Sequence, residues 1–108
     1  MEKRVEARTK RRLMVRFGLN DSAKTGFTRN LSDTGMFIQT GYIFKPGTTI
    51  QIEVVFPDGK FNLWGRVVRA RKVPPQLISI MESGMGIKFI DPGADWLDKF
   101  QSWKAGKG

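Results

Sequence analysis

The feature that most restricts the fold is a strict two-residue alternation. Ile50, Ile52, Val54 and Phe56 interleave with Gln51 and Glu53, and Pro57-Asp58-Gly59-Lys60 follows at once. Period two puts one set of side chains on one face of a strand, and Asp-Gly suits a tight turn that needs positive φ, so a half-buried hairpin is expected. Its return strand should span residues 61–72, with Gly65 as a bulge or bend. Leu13, Val15 and Phe17 alternate in the same way with Met14 and Arg16. Further strands fit around Phe27 and over residues 36–40, 77–81 and 85–90, separated by turn chemistry at 18–22, 30–35, 45–47 and 82–84. Pro74-Pro75 argues against both helix and central strand at that point. Only the end has helical spacing: Asp91 suits a cap, Pro92 the first helical position, and Trp96, Leu97, Phe100 and Trp103 share a face. Six or seven short strands at hairpin spacing with one terminal helix describe an all-β chain, an antiparallel barrel with a helix packed on it.

At 108 residues the chain suits one domain with one core, and its 40% hydrophobic content is enough to fill it. The sequence contains neither cysteine nor histidine. Disulfides, thiolate or imidazole metal sites, and Ser-His or Cys-His nucleophile pairs are thereby excluded, and no catalytic function or cofactor is expected. Asp21, Asp33, Asp58 and Asp91 fall at turns or a helix cap, where structure already accounts for them. No apolar run approaches the ~20 residues of a membrane span, and the charged start is unlike a signal peptide, so a cytoplasmic location is expected.

Charge points to the partner. Lys+Arg 19 against Asp+Glu 10 gives a net +9, which should attract an anion. Residues 1–16 hold Lys3, Arg4, Arg8, Lys10, Arg11, Arg12 and Arg16 against only Glu2 and Glu6. Residues 1–10 lack apolar periodicity and are expected to form a flexible basic arm, followed by a single folded body over 11–104. Two polar constellations stand out: Arg4-Val5-Glu6-Ala7-Arg8 in the arm, and Asn30-Leu31-Ser32-Asp33-Thr34-Gly35 between strands. Leu31 should point inward as an anchor, leaving the Asn30 amide and Ser32 hydroxyl to meet a ligand, with Gly35 permitting a close approach.

In this order, an Arg-x-x-x-Arg motif before the first strand and an Asp/Asn-x-Ser-x-x-Gly motif between the second and third, the chain resembles the PilZ domain family. Gly65-Arg66-Val67-Val68-Arg69 and Gly84-Met85-Gly86-Ile87-Lys88-Phe89 are similar to its later strands. The resemblance implies a six-stranded β-barrel with a C-terminal helix that binds the bacterial second messenger cyclic diguanylate (cyclic di-GMP). It further implies that Arg4 and Arg8 clamp the ligand against Asn30, Ser32 and Gly35, with Lys3, Gly84 and Gly86 as possible additional contacts. The arm's ordering would signal to a protein effector in motility, adhesion or exopolysaccharide control.

The chemistry suits such a ligand, because an arginine fork can bond the O6 and N7 acceptors of guanine or pair with phosphate oxygens, and its plane can stack on a base. Arg8 with Arg12, and Arg12 with Arg16, also fit the arginine spacing, but Arg12 and Arg16 lie in or beside the first strand, which leaves them little freedom to fold over a ligand. Arg66, Arg69, Arg71 and Lys72 form a second basic run, in which alternation is expected to separate Arg66 from Arg69 and Arg71. Trp64 is compatible with core, barrel rim or partner contact. A nucleic-acid-binding barrel is the competing reading, disfavoured because Trp64 and Arg66 make only a fragment of an aromatic and basic strand face. A PilZ-like module that contacts proteins without binding nucleotide is the other alternative.

Overall fold

The computed structural model describes residues 12–79 and 81–106. The basic arm with Lys3, Arg4 and Arg8 therefore lies outside the described residues. Six strands form the sheet: β1 (Met14–Gly18), β2 (Lys24–Arg29), β3 (Gly35–Gln39), β4 (Thr49–Phe56), β5 (Gly59–Arg71) and β6 (Gly84–Ile90), followed by helix α1 (Gly93–Lys104). They close into a barrel in the order β1-β2-β3-β6-β5-β4, with every pair antiparallel. Closure gives each strand two partners and removes the exposed edges that an open sheet would have to protect.

The alternation works as the sequence implies. Val15, Phe17, Ile38, Ile50, Ile52, Val54, Val67 and Met85 point inward and are fully or almost fully buried. Leu31 is half-buried and packs against this core, as expected of an anchor. Helix α1 closes one end of the barrel with Trp96, Phe100 and Trp103, spaced to share a helical face. Trp96 lies 5.2 Å from Phe89, 5.4 Å from Phe61 and 6.0 Å from Phe56 between ring centroids. Rings of this size bury large apolar areas, and their edge-on and tilted contacts add to that burial. Lys99 of the helix pairs with Asp58 in the β4–β5 turn, tying the helix to the hairpin.

Several expectations are corrected. The strand expected over 77–81 is not found among its described residues, 77–79 and 81: Pro75–Leu77 forms one turn of 3-10 helix, and the Met81 amide donates to the Leu77 carbonyl at 2.9 Å. The proline pair does not exclude every helical turn, because Pro75 stands at its start, where a missing N–H is no loss. Asp91 is not the cap of α1. It adopts a left-handed backbone, φ 44°, unlike a capping residue, and Pro92 takes the flanking position without a side-chain cap bond. Leu97, expected on the packed face, is 41% exposed, since it sits about 100° around the helix from Trp96. Trp64 is 49% exposed on the outside of the barrel and is not core.

The bulge in β5 is also displaced from its expected place. Gly65 keeps its pairing with both Ile50 and Phe89, and what it provides is close packing, because a Cβ there would lie 2.5 Å from Ile87 Cγ2. The irregularity falls between Val67 and Arg69, leaving Val68 as the extra residue. Arg66, Arg69 and Arg71 consequently pair with Lys88, Gly86 and Gly84, alternate residues of one strand. All three arginines face outward together, and the expected separation of Arg66 from the others is overturned.

Candidate functional site

The turn over residues 30–35 joins β2 to β3 and is built largely from its own polar groups. The Ser32 hydroxyl accepts the Thr34 amide at 3.2 Å and the Gly35 amide at 3.1 Å, while the Ser32 amide donates to the Gly35 carbonyl at 2.9 Å. A serine used in this way fixes a turn. Outside contacts hold the turn against the barrel. The Phe89 amide donates to the Thr34 carbonyl at 2.9 Å, and the Trp96 indole donates to the Asp33 carbonyl at 3.1 Å. At Gly35, a Cβ would fall 2.2 Å from the Ile87 carbonyl oxygen, so only glycine lets β3 approach β6 this closely. Ser32 and Gly35 thus shape the turn. Asn30, in a left-handed backbone at φ 54°, is exposed and makes no side-chain hydrogen bond to another described residue.

Asn30 stands at the edge of a cleft of about 440 Å³ that is also lined by Arg29, Phe37, Arg69, Arg71 and Glu82. The strand register explains how Phe37, Arg69 and Arg71 come together. On the outer face, Phe37 pairs with Gly86, which pairs with Arg69, and Gln39 pairs with Gly84, which pairs with Arg71. The middle strand therefore carries glycine at two successive outward positions, Gly84 and Gly86, and the Phe37 ring and the Arg69 side chain close over its backbone there. A Cβ at Gly84 would lie 2.4 Å from the Phe37 ring, so glycine there leaves the space that the ring occupies against β6. The Arg71 guanidinium sits 5.8 Å from the Phe37 centroid, within cation–π reach.

Three arginines and one glutamate make the cleft electropositive. Arg29 pairs with the Glu82 carboxylate, and Arg71 Nε donates to the Glu82 carbonyl at 2.8 Å. Among the described residues Arg69 has no ion-pair partner. Fixed guanidinium forks beside an aromatic ring can recognise phosphate by paired N–H donors and a flat base by stacking.

Of the residues singled out from sequence, Asn30 lines this cleft, Gly84 and Gly86 lie on β6 against Phe37 and Arg69, and Ser32 and Gly35 shape the adjoining turn. Lys3, Arg4 and Arg8 lie outside the described residues. Arg29, Phe37, Arg69, Arg71 and Glu82 were not anticipated as site residues. The usable signal was the pair of glycines at 84 and 86, two apart on a strand, which strips one face of side chains opposite a basic run.

The chain belongs to the PilZ domain family, whose model matches residues 2–103. Among solved structures it is similar to the Bacillus subtilis inhibitor of motility MotI/DgrA, with a TM-score of 0.72 and 15% identity. That match covers 99% of this chain and 52% of the other, so the chain spans about half the length of that protein. It is also similar to the PilZ domain of CeSA from a cellulose-synthesizing bacterium, with a TM-score of 0.63 and 17% identity, over 92% of this chain and 95% of that one. A search of curated protein sequences finds no match. Among the described residues no helix is long and apolar enough to cross a membrane.

Proposed function

We propose that this chain is a non-catalytic receptor for cyclic diguanylate. The observation that carries the reading is the arginine cleft itself, lined by Arg29, Arg69 and Arg71 and bordered by Asn30. A ligand with two phosphates and two guanines offers what such a cleft can bind: acceptors for the forks of Arg69 and Arg71, and a base to stack near Phe37. Family membership supports the choice of nucleotide. Arg4 and Arg8 would close over the ligand from the side of β1, with Lys3 beside them, and the ordered arm would form a new surface for an effector protein. Motility and exopolysaccharide synthesis are the processes that the names of the structural neighbours suggest for that effector. The ligand is an intracellular messenger, which would place the action in the cytoplasm.

Calorimetry of the full chain with cyclic diguanylate tests the reading. Binding should be micromolar or tighter, and Arg4→Ala or Arg8→Ala should each cost about 1–3 kcal/mol. A titration in salt separates the nucleic-acid alternative, because a polyanion contact loses affinity steeply with salt and a compact diphosphate loses less. Unchanged affinity in both arginine variants would overturn the clamp, and no binding by the parent would leave a protein-contact module.

A further inference from the structure

We propose that Glu82 is a resident anion in the cleft, a carboxylate that occupies the Arg29 subsite until a ligand phosphate displaces it. The identity of the incoming anion rests on the receptor reading above, while the latch rests on geometry. Glu82 is the acidic residue among those lining the cleft, and it engages cations from two strands at once. Its carboxylate pairs with Arg29 of β2, and its backbone carbonyl accepts Arg71 Nε of β5 at 2.8 Å. One residue therefore ties the two sides of the cleft together.

The segment around Glu82 is built to hold its backbone while leaving the side chain free to move. The Val73 amide donates to the Ser83 hydroxyl at 2.8 Å, and the Thr40 amide donates to the Ser83 carbonyl at 3.2 Å, so the chain next to Glu82 is pinned to the segments that follow β5 and β3. The Glu82 side chain itself is 31% exposed, and Arg29 is 43% exposed. A change of rotamer would release the carboxylate into water without moving the backbone. An exposed carboxylate pair is weak, whereas a phosphate can offer a guanidinium two parallel charge-assisted bonds, so an arriving phosphate should win the exchange. Arg69, without a carboxylate of its own among the described residues, is where the anion would land first. The latch keeps Arg29 oriented in the empty protein and lowers the affinity for any anion that has to replace it.

The test uses the full chain, as parent and as Glu82→Gln, titrated at low salt with cyclic diguanylate and, in parallel, with inorganic pyrophosphate. Both proteins are also compared in an Arg29→Ala background. Glu82→Gln should tighten binding about five-fold, the scale of an exposed ion pair, and the gain should largely vanish once Arg29 is removed. Equal or weaker binding by Glu82→Gln overturns the latch. A gain of the same size without Arg29 also overturns it, because Glu82 would then act only through its general field. Tightened pyrophosphate binding with no binding of cyclic diguanylate would keep the latch and reject the receptor reading. Failure of both proteins to bind either anion would reject both.

Discussion

One barrel carries two surfaces of opposite chemistry. At the end closed by α1, Phe56, Phe61 and Phe89 meet Trp96, Phe100 and Trp103, and these rings pack at centroid separations of 5.2–6.2 Å. On the outer face of β2, β3, β6 and β5 the same sheet gathers Arg29, Arg69 and Arg71 around one cleft. The first surface removes water from large apolar groups and should carry stability. The second keeps water and cations available and should carry binding. They meet at the turn over residues 30–35, where Trp96 of the helix bonds the Asp33 carbonyl while Asn30 borders the cleft. A helix packed for stability thus also holds the turn over residues 30–35 in place.

The largest expected effect breaks the packed side. Trp96→Ala should cost about 3–5 kcal/mol in a denaturant melt, because it empties a fully buried site and removes the bond to Asp33. Gly35→Ala attacks the junction between the two surfaces. Forcing β3 away from the Ile87 carbonyl should cost about 1–3 kcal/mol of stability and weaken ligand binding in the same protein. Arg71→Ala should separate the surfaces cleanly. Its affinity for cyclic diguanylate should fall by about 1–3 kcal/mol, while the melt loses about 1 kcal/mol at most, the scale of the exposed bond to the Glu82 carbonyl.

The smallest effect concerns pH. The hydrogen bond from Lys99 holds the Asp58 carboxyl below its ordinary value. A lowered folded value means that this contact stabilises the fold above the ordinary carboxylate range and is lost as pH falls through the folded value. Acid titration of Asp58→Asn against the parent should show a slight difference at neutral pH that closes in acid, and added salt should shrink it because the pair is exposed.

The fold was legible wherever local pattern and tertiary demand agreed. The alternation in β4, the Asp-Gly turn after it and the repeat of that alternation in β1 determine inward and outward faces before any contact is known. Residues 77–81 misled because apolar composition alone does not distinguish a strand from a surface turn. Ile78, 67% exposed, has no partner strand to cover it. The motif turn was readable from Asn30, Ser32 and Gly35, yet the structure uses Ser32 and Gly35 to shape the turn and leaves Asn30 to face the cleft. The cleft arginines were hidden by a single inserted residue. Counting by twos places Arg66 and Arg69 on opposite faces, and the bulge at Val68 reverses that parity. Such an irregularity is decided by pairing with β6, which no local window contains.

Amide chemical-shift mapping of the full chain during a cyclic diguanylate titration most directly tests the division between the two surfaces. The account predicts perturbations concentrated at residues 29–37, 69–71 and 82–86, with the arm residues 3–8 responding in step. Residues 97–104 and the strand around Trp64 should stay quiet. Shifts centred on Trp64 or the exposed face of α1, with the arginine cleft unmoved, would contradict it.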